Sequence, residues 1–433
     1  MTAARLLTAV VGSALVVLLG TTVTARVAVA QSSVDEVERY AAEVEWLADD
    51  ERDGRGLGSA GLEEAGQWIA GKFAEIGLEP AGDDGFRHTF QAAIPDPADP
   101  HAEGTPVEAF NVVGRLVARG SDPLPGVIVV GAHYDHLGLG GFGSLDPDSE
   151  AIHNGADDNA SGTVALIETA RRLAEVAQNL RRDVVFVAFS GEERGLLGSS
   201  AFVRTLPGGL QVEEIRAMLN MDMVGRLEAN RLQVLGGESA EEWKDLVAPL
   251  CERLALDCVI QGDGFGSSDH SSFFAAGIPV LHFFTGAHSE YHRPSDDAEL
   301  INAAGAVRIV QLVAATVQDL ADRDSPLTLV ESTQPAPTRM RMGGARLGTI
   351  PDYAGPADGS PGLLLSAVRS GSPAEQGGLR RGDLIVGIDD FKIDGVEDFM
   401  VVLSEATPGT RAIVHVIRDG KQLELEVTYG GKP

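Results

Sequence analysis

Residues 127–135 read VIVVGAHYD, a short apolar run that ends in a histidine and an aspartate. Near-continuous hydrophobicity over this length is typical of a strand that is buried on both faces of a parallel sheet. Because side chains alternate along a strand, we expect His133 and Asp135 on the same side of the chain. A carboxylate there can hold the far ring nitrogen of a metal-ligating histidine. The stretch therefore predicts a central strand and a candidate metal ligand at its end.

Three further apolar runs repeat this pattern, and helical patterns separate them. We predict strands at Val127–Ala132, Val184–Ser190, Ala217–Met221 and Pro279–Phe284, and helices at Gly162–Gln178, Glu241–Ala255 and Asn302–Leu320. Region 34–78 is also helical in pattern, with a glycine-rich interruption at 53–61. Strands that alternate with helices predict an α/β domain, in which helices sandwich a mixed, mostly parallel sheet.

Polar clusters follow these strands or lie in adjoining loops. They are His133–Asp135, Asn154–Gly162, Gly191–Glu193, Asn220–Asp222 and Tyr291–Asp296. The carboxyl ends of strands in an open sheet share one edge, so two histidines and several carboxylates are expected to converge there. One such cluster alone would ordinarily be solvated charge or a structural histidine. Five clusters together instead favour a hydrolytic site with two metal ions.

The chain is expected to begin with a signal peptide at residues 1–30. Arg5 precedes an apolar run, Leu6–Leu19, and Ala28–Ala30 provides a small-x-small cleavage site. An uncleaved anchor is the alternative, which the short and interrupted apolar run disfavours. We therefore expect an exported protein, periplasmic or secreted, with no stable membrane anchor after cleavage.

A change of composition divides the rest of the chain. Residues 31–321 are predicted to form the catalytic domain. Residues 322–342 are rich in Pro, Thr, Ser and Arg without an apolar period, which is typical of a linker. Short strands with turn signals follow, and they predict a second, small β-rich domain at residues 343–433.

The charge balance is strongly acidic, with 34 Lys+Arg against 64 Asp+Glu and a formal net charge of −30. No nucleic-acid partner is expected, because DNA phosphates would be repelled. The two cysteines, Cys251 and Cys258, are too few for a structural zinc site of their own. Outside the cytosol they can pair, but the sequence leaves the disulfide and two free thiols equally open.

The order of the polar motifs resembles that of the co-catalytic zinc aminopeptidases of metallopeptidase family twenty-eight, over about residues 34–321. The resemblance implies an enzyme that removes N-terminal amino acids from peptides and holds two Zn²⁺. The Asp-Asn step of the family, a cis peptide there, aligns with Asp158-Asn159, so Asp158 is the implied bridge and Asp157 the alternative. The implied ligands are His133 and Asp222 for one zinc, Glu193 and His292 for the other, and Asp158 for both.

The same resemblance implies Glu192 as the general base. Three carboxylate ligands against two Zn²⁺ leave the site at net +1, so a bridging water is easily deprotonated, and Glu192 can return its proton to the leaving amine. Tyr291 matches a tyrosine that some members use to polarise the scissile carbonyl. Groups expected to support the ligands or line the pocket are Asp135, Asp296 and Asp269 of the Ser268-Asp269-His270 triplet. We expect His136, His153 and His288 at the rim of the site.

Related activities remain open at this stage. Glutaminyl cyclases keep a single zinc, and the presence of both His133 and Asp222 argues against them. A carboxypeptidase or dipeptidase would need a cation for the terminal carboxylate of its substrate, which Arg226 or Arg293 could supply. A non-catalytic peptide-binding protein is disfavoured by the complete set of ligands and base. The aminopeptidase interpretation leads, since a free N-terminus needs the acidic groups that surround these motifs.

The C-terminal segment, residues 343–429, carries the motifs Arg346–Ile350, Gly371–Ala374 and Leu379–Ile385. They resemble the PDZ domains of bacterial exported proteases. The resemblance implies a C-terminal peptide ligand, added as an extra strand with its carboxylate on the backbone amides of one loop. That loop would consist of Leu347, Gly348, Thr349 and Ile350. A β-barrel that only braces the catalytic domain is the alternative.

Overall fold

The computed structural model describes residues 34–94, 105–141, 143–146 and 149–331. Within 345–431 it describes all residues except 352–355, 357–359, 370, 390, 394, 396–397, 400–401, 404–405 and 419. The predicted signal peptide, residues 1–30, lies outside the described residues, as does the part of the predicted linker at 332–342.

A mixed sheet of nine strands organises the described part of residues 34–331. Its strands are β1 (Glu79–Pro80), β2 (Arg87–Ile94), β3 (Thr105–Leu116), β4 (Val127–His133), β5 (Asp183–Phe189), β6 (Ile215–Met221), β7 (Arg231–Leu235), β8 (Asp257–Gln261) and β9 (Val280–Phe284). The helices are α1 (34–47), α2 (Ala60–Ile76), α3 (Gly162–Glu175), α4 (Leu197–Arg204), α5 (Trp243–Arg253), α6 (His270–Phe274) and α7 (Ala303–Ala321).

The strand order is β1-β3-β5-β4-β6-β9-β7-β8, with β2 also paired to β3. The four central strands, β5, β4, β6 and β9, run parallel to one another. Antiparallel pairing joins β3 to β5 on one side and β7 to β9 on the other. The α/β prediction is confirmed, and the predicted strands form the parallel centre of the sheet.

Both faces of the central strands are covered, which explains their continuous hydrophobicity. Along β4, Ile128 and Val130 belong to the core on one face, while Val127 and Val129 belong to the core on the other. The first core includes residues of α1, α2, α3, α5 and α7; the second includes Phe202 of α4. All seven residues of β4 are buried, so His133 leaves the sheet in a place shielded from water.

Helix α7 is the one helix among the described residues that is long and apolar enough to cross a membrane. Two-thirds of it (67%) is buried inside the fold, as expected of a core helix. Its N-terminus is capped by Asn302, whose side chain accepts from the backbone N–H of Gly305. The length and hydrophobicity of α7 are therefore explained by its packing against the sheet.

The cysteine pair is bridged. Cys251 in α5 and Cys258 in β8 form a disulfide with a Cα–Cα separation of 6.1 Å. The alternative of two free thiols, which the sequence left open, is wrong.

The beginning of the predicted linker packs on the domain that precedes it. Val330 N–H donates to the carbonyl of Ser239 (2.9 Å), and Glu241 N–H donates to the carbonyl of Thr328 (3.1 Å). Backbone pairing of this kind depends on partners about ninety positions away, so the composition of the segment did not reveal it.

A second, smaller sheet lies in the described residues after 345 and has its own hydrophobic core. Its strand order is β10-β11-β12-β14-β15, with β13 paired to β12. The elements are β10 (Thr349–Pro351), β11 (Leu363–Val368), α8 (Pro373–Gln376), β12 (Leu384–Ile388), β13 (Phe391–Lys392), β14 (Arg411–Arg418) and β15 (Lys421–Thr428). All described strand pairs in it are antiparallel, as expected of the small β-rich domain.

Candidate metal centre

The predicted ligands lie together at the carboxyl edge of the sheet. His133 is the last residue of β4, Glu193 follows β5, and Asp222 follows β6. Asp158 lies in the irregular turn Ala156–Ser161 that leads into α3. The loop after β9 brings His292 over the same edge.

These side chains form two groups that share Asp158. His133 Nε2 lies 3.4 Å from Asp158 Oδ1 and 3.3 Å from Asp222 Oδ1. His292 Nε2 lies 3.1 Å from Asp158 Oδ2 and 3.1 Å from Glu193 Oε2. Each oxygen of Asp158 thus faces a different histidine, which is the arrangement of a bridging carboxylate.

The distances around His133, 3.3 and 3.4 Å, fit ligands of one cation better than direct hydrogen bonds. Tetrahedral zinc with bonds of ~2.0–2.2 Å keeps its ligand atoms roughly 3.3–3.6 Å apart. His133 Nε2 and Asp222 Oδ1 are both buried without a hydrogen-bond partner, although they face each other at 3.3 Å. Buried polar atoms are normally satisfied, so this pair is suited to a cation between them.

The charges of the cluster point the same way. Burial opposes protonation of the two imidazoles, but the surrounding carboxylates outweigh it, and the pKa of both His133 and His292 is raised well above the ordinary value. Burial likewise opposes ionisation of Asp158, yet contacts with the two histidines hold its pKa well below the usual range. Ligating histidines are neutral, so cations that enter this site would displace protons from the rings.

Asp157, the alternative bridge, faces away from the two groups. Its Oδ1 accepts from the backbone N–H of Gly225 (2.6 Å) and from Ser161 Oγ (3.0 Å). Its Oδ2 lies 3.2 Å from His288 Nε2. The geometry therefore favours Asp158 as the bridge, and the Asp158–Asn159 peptide is cis, as the resemblance implied.

Asp296 fixes the backbone that carries Asp158. Its buried Oδ2 accepts from the N–H groups of Asp157 (2.9 Å) and Asp158 (3.0 Å), and its Oδ1 contacts Arg226 at 3.2 Å. The sequence predicted a supporting role for Asp296, and these contacts would allow it.

Asp135 supports the site differently from our expectation. The Nδ1 atom of His133 lies nearer to the backbone oxygen of Asp135 (3.2 Å) than to its carboxylate (3.8 Å). The carboxylate instead accepts from the N–H groups of Glu192 (3.1 Å) and Glu193 (3.4 Å). Asp135 therefore holds the turn that presents the two glutamates.

Two further supports were missed from the sequence. Ser268 Oγ donates to Asp222 Oδ2 (2.7 Å), whereas its predicted neighbour Asp269 is buried without a hydrogen bond to a ligand, and burial raises the pKa of Asp269 to about 7. The fully buried Arg55 donates to four backbone carbonyls, those of Leu47, Tyr134, Asn154 and Gly155. Arg55 thereby joins the segments that flank His133 and Asp158. In the sequence, only its position in the glycine-rich stretch 53–61 suggested a structural role.

The rim prediction is wrong for two of the three histidines. His136 is buried, with Nδ1 at 2.7 Å from Glu193 Oε1. His153 is also buried, and its Nε2 contacts Ser144 Oγ at 2.8 Å. The loop between these two histidines contributes to the site through Gly143. The backbone carbonyl of Gly143 accepts a hydrogen bond from Nδ1 of His292 (2.8 Å), so Nε2 of His292 faces the carboxylates. His288 is partly exposed.

Tyr291 lies beside the ligand His292, and the predicted peptide-binding loop begins in the segment just before β10. The Tyr291 ring stacks on that of His292 with 3.8 Å between centroids. Leu347 and Gly348 accept through their carbonyls from the N–H groups of Ala374 and Arg369, and Gly348 has a φ of 76°. Thr349 begins β10 opposite Val368, and the side chain of Ile350 lies outside the described ones.

Comparison with known proteins agrees with this architecture. Aminopeptidase YwaD of Bacillus subtilis is 32% identical over 210 residues, which cover 46% of this chain and 42% of the relative. Leupeptin-inactivating enzyme 1 of Streptomyces exfoliatus is 27% identical over 252 residues, which cover 58% of this chain and 49% of the relative. The chain thus spans less than half the length of these curated relatives.

Solved structures share the fold at low identity. BSAP, a zinc aminopeptidase from Bacillus subtilis, matches with a TM-score of 0.52 and 20% identity over 68% of this chain and 98% of its own. An aminopeptidase from Aneurinibacillus sp. strain AM-1 matches with a TM-score of 0.53 and 17% identity over 69% and 97%.

Family models match both sheets of the chain. The model of a PDZ domain matches residues 341–429, and that of peptidase family M28 matches residues 111–317, the segment that contains all the ligands described above. Residues 111–317 of this chain therefore match peptidase family M28, and residues 341–429 match a PDZ domain.

Proposed function

We propose that this protein is an exported zinc-dependent aminopeptidase that hydrolyses N-terminal residues from peptides. The observation that carries the proposal is the pair of histidine–carboxylate groups that share Asp158 at 3.1–3.4 Å. The family match and the names of the relatives support it. Export is proposed from the signal sequence at residues 1–30.

The two groups would each hold one zinc ion. His133 and Asp222 would bind the first, Glu193 and His292 the second, with one oxygen of Asp158 on each. Bound zinc supplies Lewis-acid chemistry and lowers the pKa of a water molecule in contact with it. The site then combines a nucleophile source with groups that can polarise a peptide carbonyl.

Glu192 would move the proton in the reaction. It neighbours the ligand Glu193, and its backbone N–H is fixed by Asp135. Desolvation, together with the charges of Glu193 and Asp222, raises the pKa of Glu192 well above the ordinary value. A carboxylate with a raised pKa can accept a proton from water and return it to the leaving amine at neutral pH. Tyr291, stacked on His292, would polarise the scissile carbonyl.

We prefer aminopeptidase to carboxypeptidase activity because the site suits the amino group of a free N-terminus. Glu192 and Asp269 are carboxyl groups beside the ligand set, and an ammonium group of a free N-terminus would favour their ionised forms and pair with them. Arg226, one of the two cations considered for a C-terminal carboxylate, is instead engaged with Asp296 at 3.2 Å. This contact disfavours Arg226 in that role and leaves Arg293 as the cation that a carboxypeptidase would need.

Peptides with one blocked end test the activity. We expect peptides with a free N-terminus to lose residues from that end and N-acetylated peptides to resist, because the acidic pocket needs an ammonium group. A chelator should abolish turnover, and added zinc should restore it. Mass spectrometry of the products checks both points. Release of residues from the C-terminus of acetylated peptides would replace this proposal with the carboxypeptidase one.

The PDZ domain would recruit substrates by binding their C-termini. Capture of one end over a short linker typically raises the effective concentration to about millimolar. It would leave the N-terminus free to reach the zinc site. The separate hydrophobic core of this domain supports an accessory role.

Deletion of residues 335–433 is expected to separate recruitment from chemistry. All candidate ligands precede residue 322, so kcat on dipeptide-sized chromogenic substrates should stay nearly unchanged. The KM for longer peptides should rise, because the second binding site is lost. Steady-state kinetics on both substrate lengths provides the measurement. A truncated protein that folds normally but loses activity on the smallest substrates would show that the PDZ domain helps to build the active site.

A further inference from the structure

His136 is a buried imidazole that the proposed mechanism does not use. It follows β4 by three residues, and its backbone N–H donates to the carbonyl of Arg55 (3.0 Å). The residue is 2% exposed. A Cβ atom on Gly155 would lie 2.5 Å from two ring carbons of His136, and Gly155 has a φ of 56°. The loop that leads to Asp158 therefore packs directly on this ring and fixes its position.

One ring nitrogen of His136 binds a candidate metal ligand. Its Nδ1 lies 2.7 Å from Glu193 Oε1, in a part of the site where the Glu193 side chain is 5% exposed. At this hydrogen-bond distance the carboxylate oxygen is the acceptor, so Nδ1 of His136 is the donor.

The two oxygens of Glu193 consequently have different partners. Oε1 accepts from His136, whereas Oε2 faces His292 Nε2 at 3.1 Å. The 2.7 Å contact is a hydrogen-bond distance and is shorter than the ~3.3–3.6 Å between two ligands of one zinc ion. His136 Nδ1 and Glu193 Oε1 thus cannot both hold the same cation in this arrangement.

We propose that His136 is a positioning residue, whose Nδ1–H occupies Oε1 of Glu193 and leaves Oε2 as the only oxygen of Glu193 for the second zinc ion. A ligand restricted to one oxygen keeps a coordination position open for water or substrate. Hydrogen-bond partners of ligating carboxylates orient them, and their loss typically reduces metal affinity by about 10–100-fold. This inference rests on the proposed two-zinc site.

The opposite role, direct ligation by His136, remains a distinct outcome of the test. His136, Asp158 and Glu193 offer ligand atoms within 4.8 Å of one another, and Nε2 of His136 is buried without a hydrogen-bond partner. In the present arrangement Nδ1 is held by Oε1 of Glu193, so Nε2 is the ring nitrogen left for ligation. The two roles therefore depend on different ring nitrogens, and amide side chains can distinguish them.

Titration of the metal-free, full-length protein with Zn²⁺ by calorimetry tests the proposal. The wild type should bind two ions, and His136→Ala should bind one of them about 10–100-fold more weakly while the other is unchanged. His136→Asn should restore most of the affinity, because its amide nitrogen takes the place of Nδ1. His136→Gln should resemble the alanine variant, because its amide nitrogen takes the place of Nε2.

His88→Gln is the matched control for loss of a buried imidazole. His88 lies on β2 and contacts Asn111 and Thr205 rather than a candidate ligand. This variant should bind both ions as the wild type does. Circular dichroism of each variant checks folding, and the asparagine–glutamine comparison decides the question even if the alanine variant fails to fold.

Four results would overturn the proposal. They are unchanged zinc affinity in His136→Ala, equal losses at both sites, rescue by glutamine but not asparagine, and binding of fewer than two ions by the wild type. The first three results contradict only the proposed role of His136 and leave the proposed function intact. The last contradicts the proposed function as well, so the two failures are distinguishable.

Discussion

Replacement of Glu192 with glutamine is expected to lower kcat by at least ~100-fold while both metal ions stay bound. The substitution removes the group that accepts and returns a proton but leaves every candidate ligand in place. Glutamine has nearly the same shape, and the backbone N–H of residue 192 keeps its bond to Asp135. Metal analysis by inductively coupled plasma spectrometry, together with steady-state kinetics, measures the two effects separately.

The neighbouring substitution, Glu193→Gln, is the matched control. Its side chain faces His292 at 3.1 Å, so it should reduce the zinc content rather than the proton transfer alone. If the Glu192 variant loses metal and the Glu193 variant keeps it, the roles of the two glutamates are exchanged.

Replacement of Asp158 with asparagine should weaken the binding of both zinc ions. Each of its oxygens faces a different histidine, at 3.4 and 3.1 Å, so one substitution removes a charged ligand from two sites at once. We expect the affinity loss at each site to exceed the roughly 10–100-fold that loss of a supporting hydrogen bond costs. Calorimetric zinc titration of the metal-free protein measures both sites.

Asp157→Asn tests the bridge assignment against the adjacent carboxylate. Asparagine can still accept from Gly225 N–H and Ser161 Oγ but loses the charge that faces His288 at 3.2 Å, so this variant should lose some folding stability while it still binds two zinc ions. Urea denaturation measures the stability. Loss of both metals in the Asp157 variant, with normal binding in the Asp158 variant, would identify Asp157 as the bridge.

The sequence determined the central strands and the polar groups at their ends. Hydrophobic runs such as Val127–Ala132 depend on burial by whatever covers the sheet, and they are readable without knowledge of the partner. The structure bears this out, since β4 is Val127–His133 and β9 is Val280–Phe284. Because parallel strands bring their carboxyl ends to one edge, the convergence of His133, Glu193 and Asp222 followed from the strand pattern and the motif order.

The tertiary structure decided which contacts support these ligands. Asp296 holds the backbone of Asp158 across 138 positions, and His136 meets Glu193 across 57. Arg55 finds its carbonyl partners up to 100 positions away, and the Cys251–Cys258 pair is joined because α5 and β8 meet at a suitable distance. Local periodicity records whether a residue is buried, but it does not record which distant residue lies opposite. The partner of a buried polar group is fixed by how the elements pack, so it could be identified only in the folded chain.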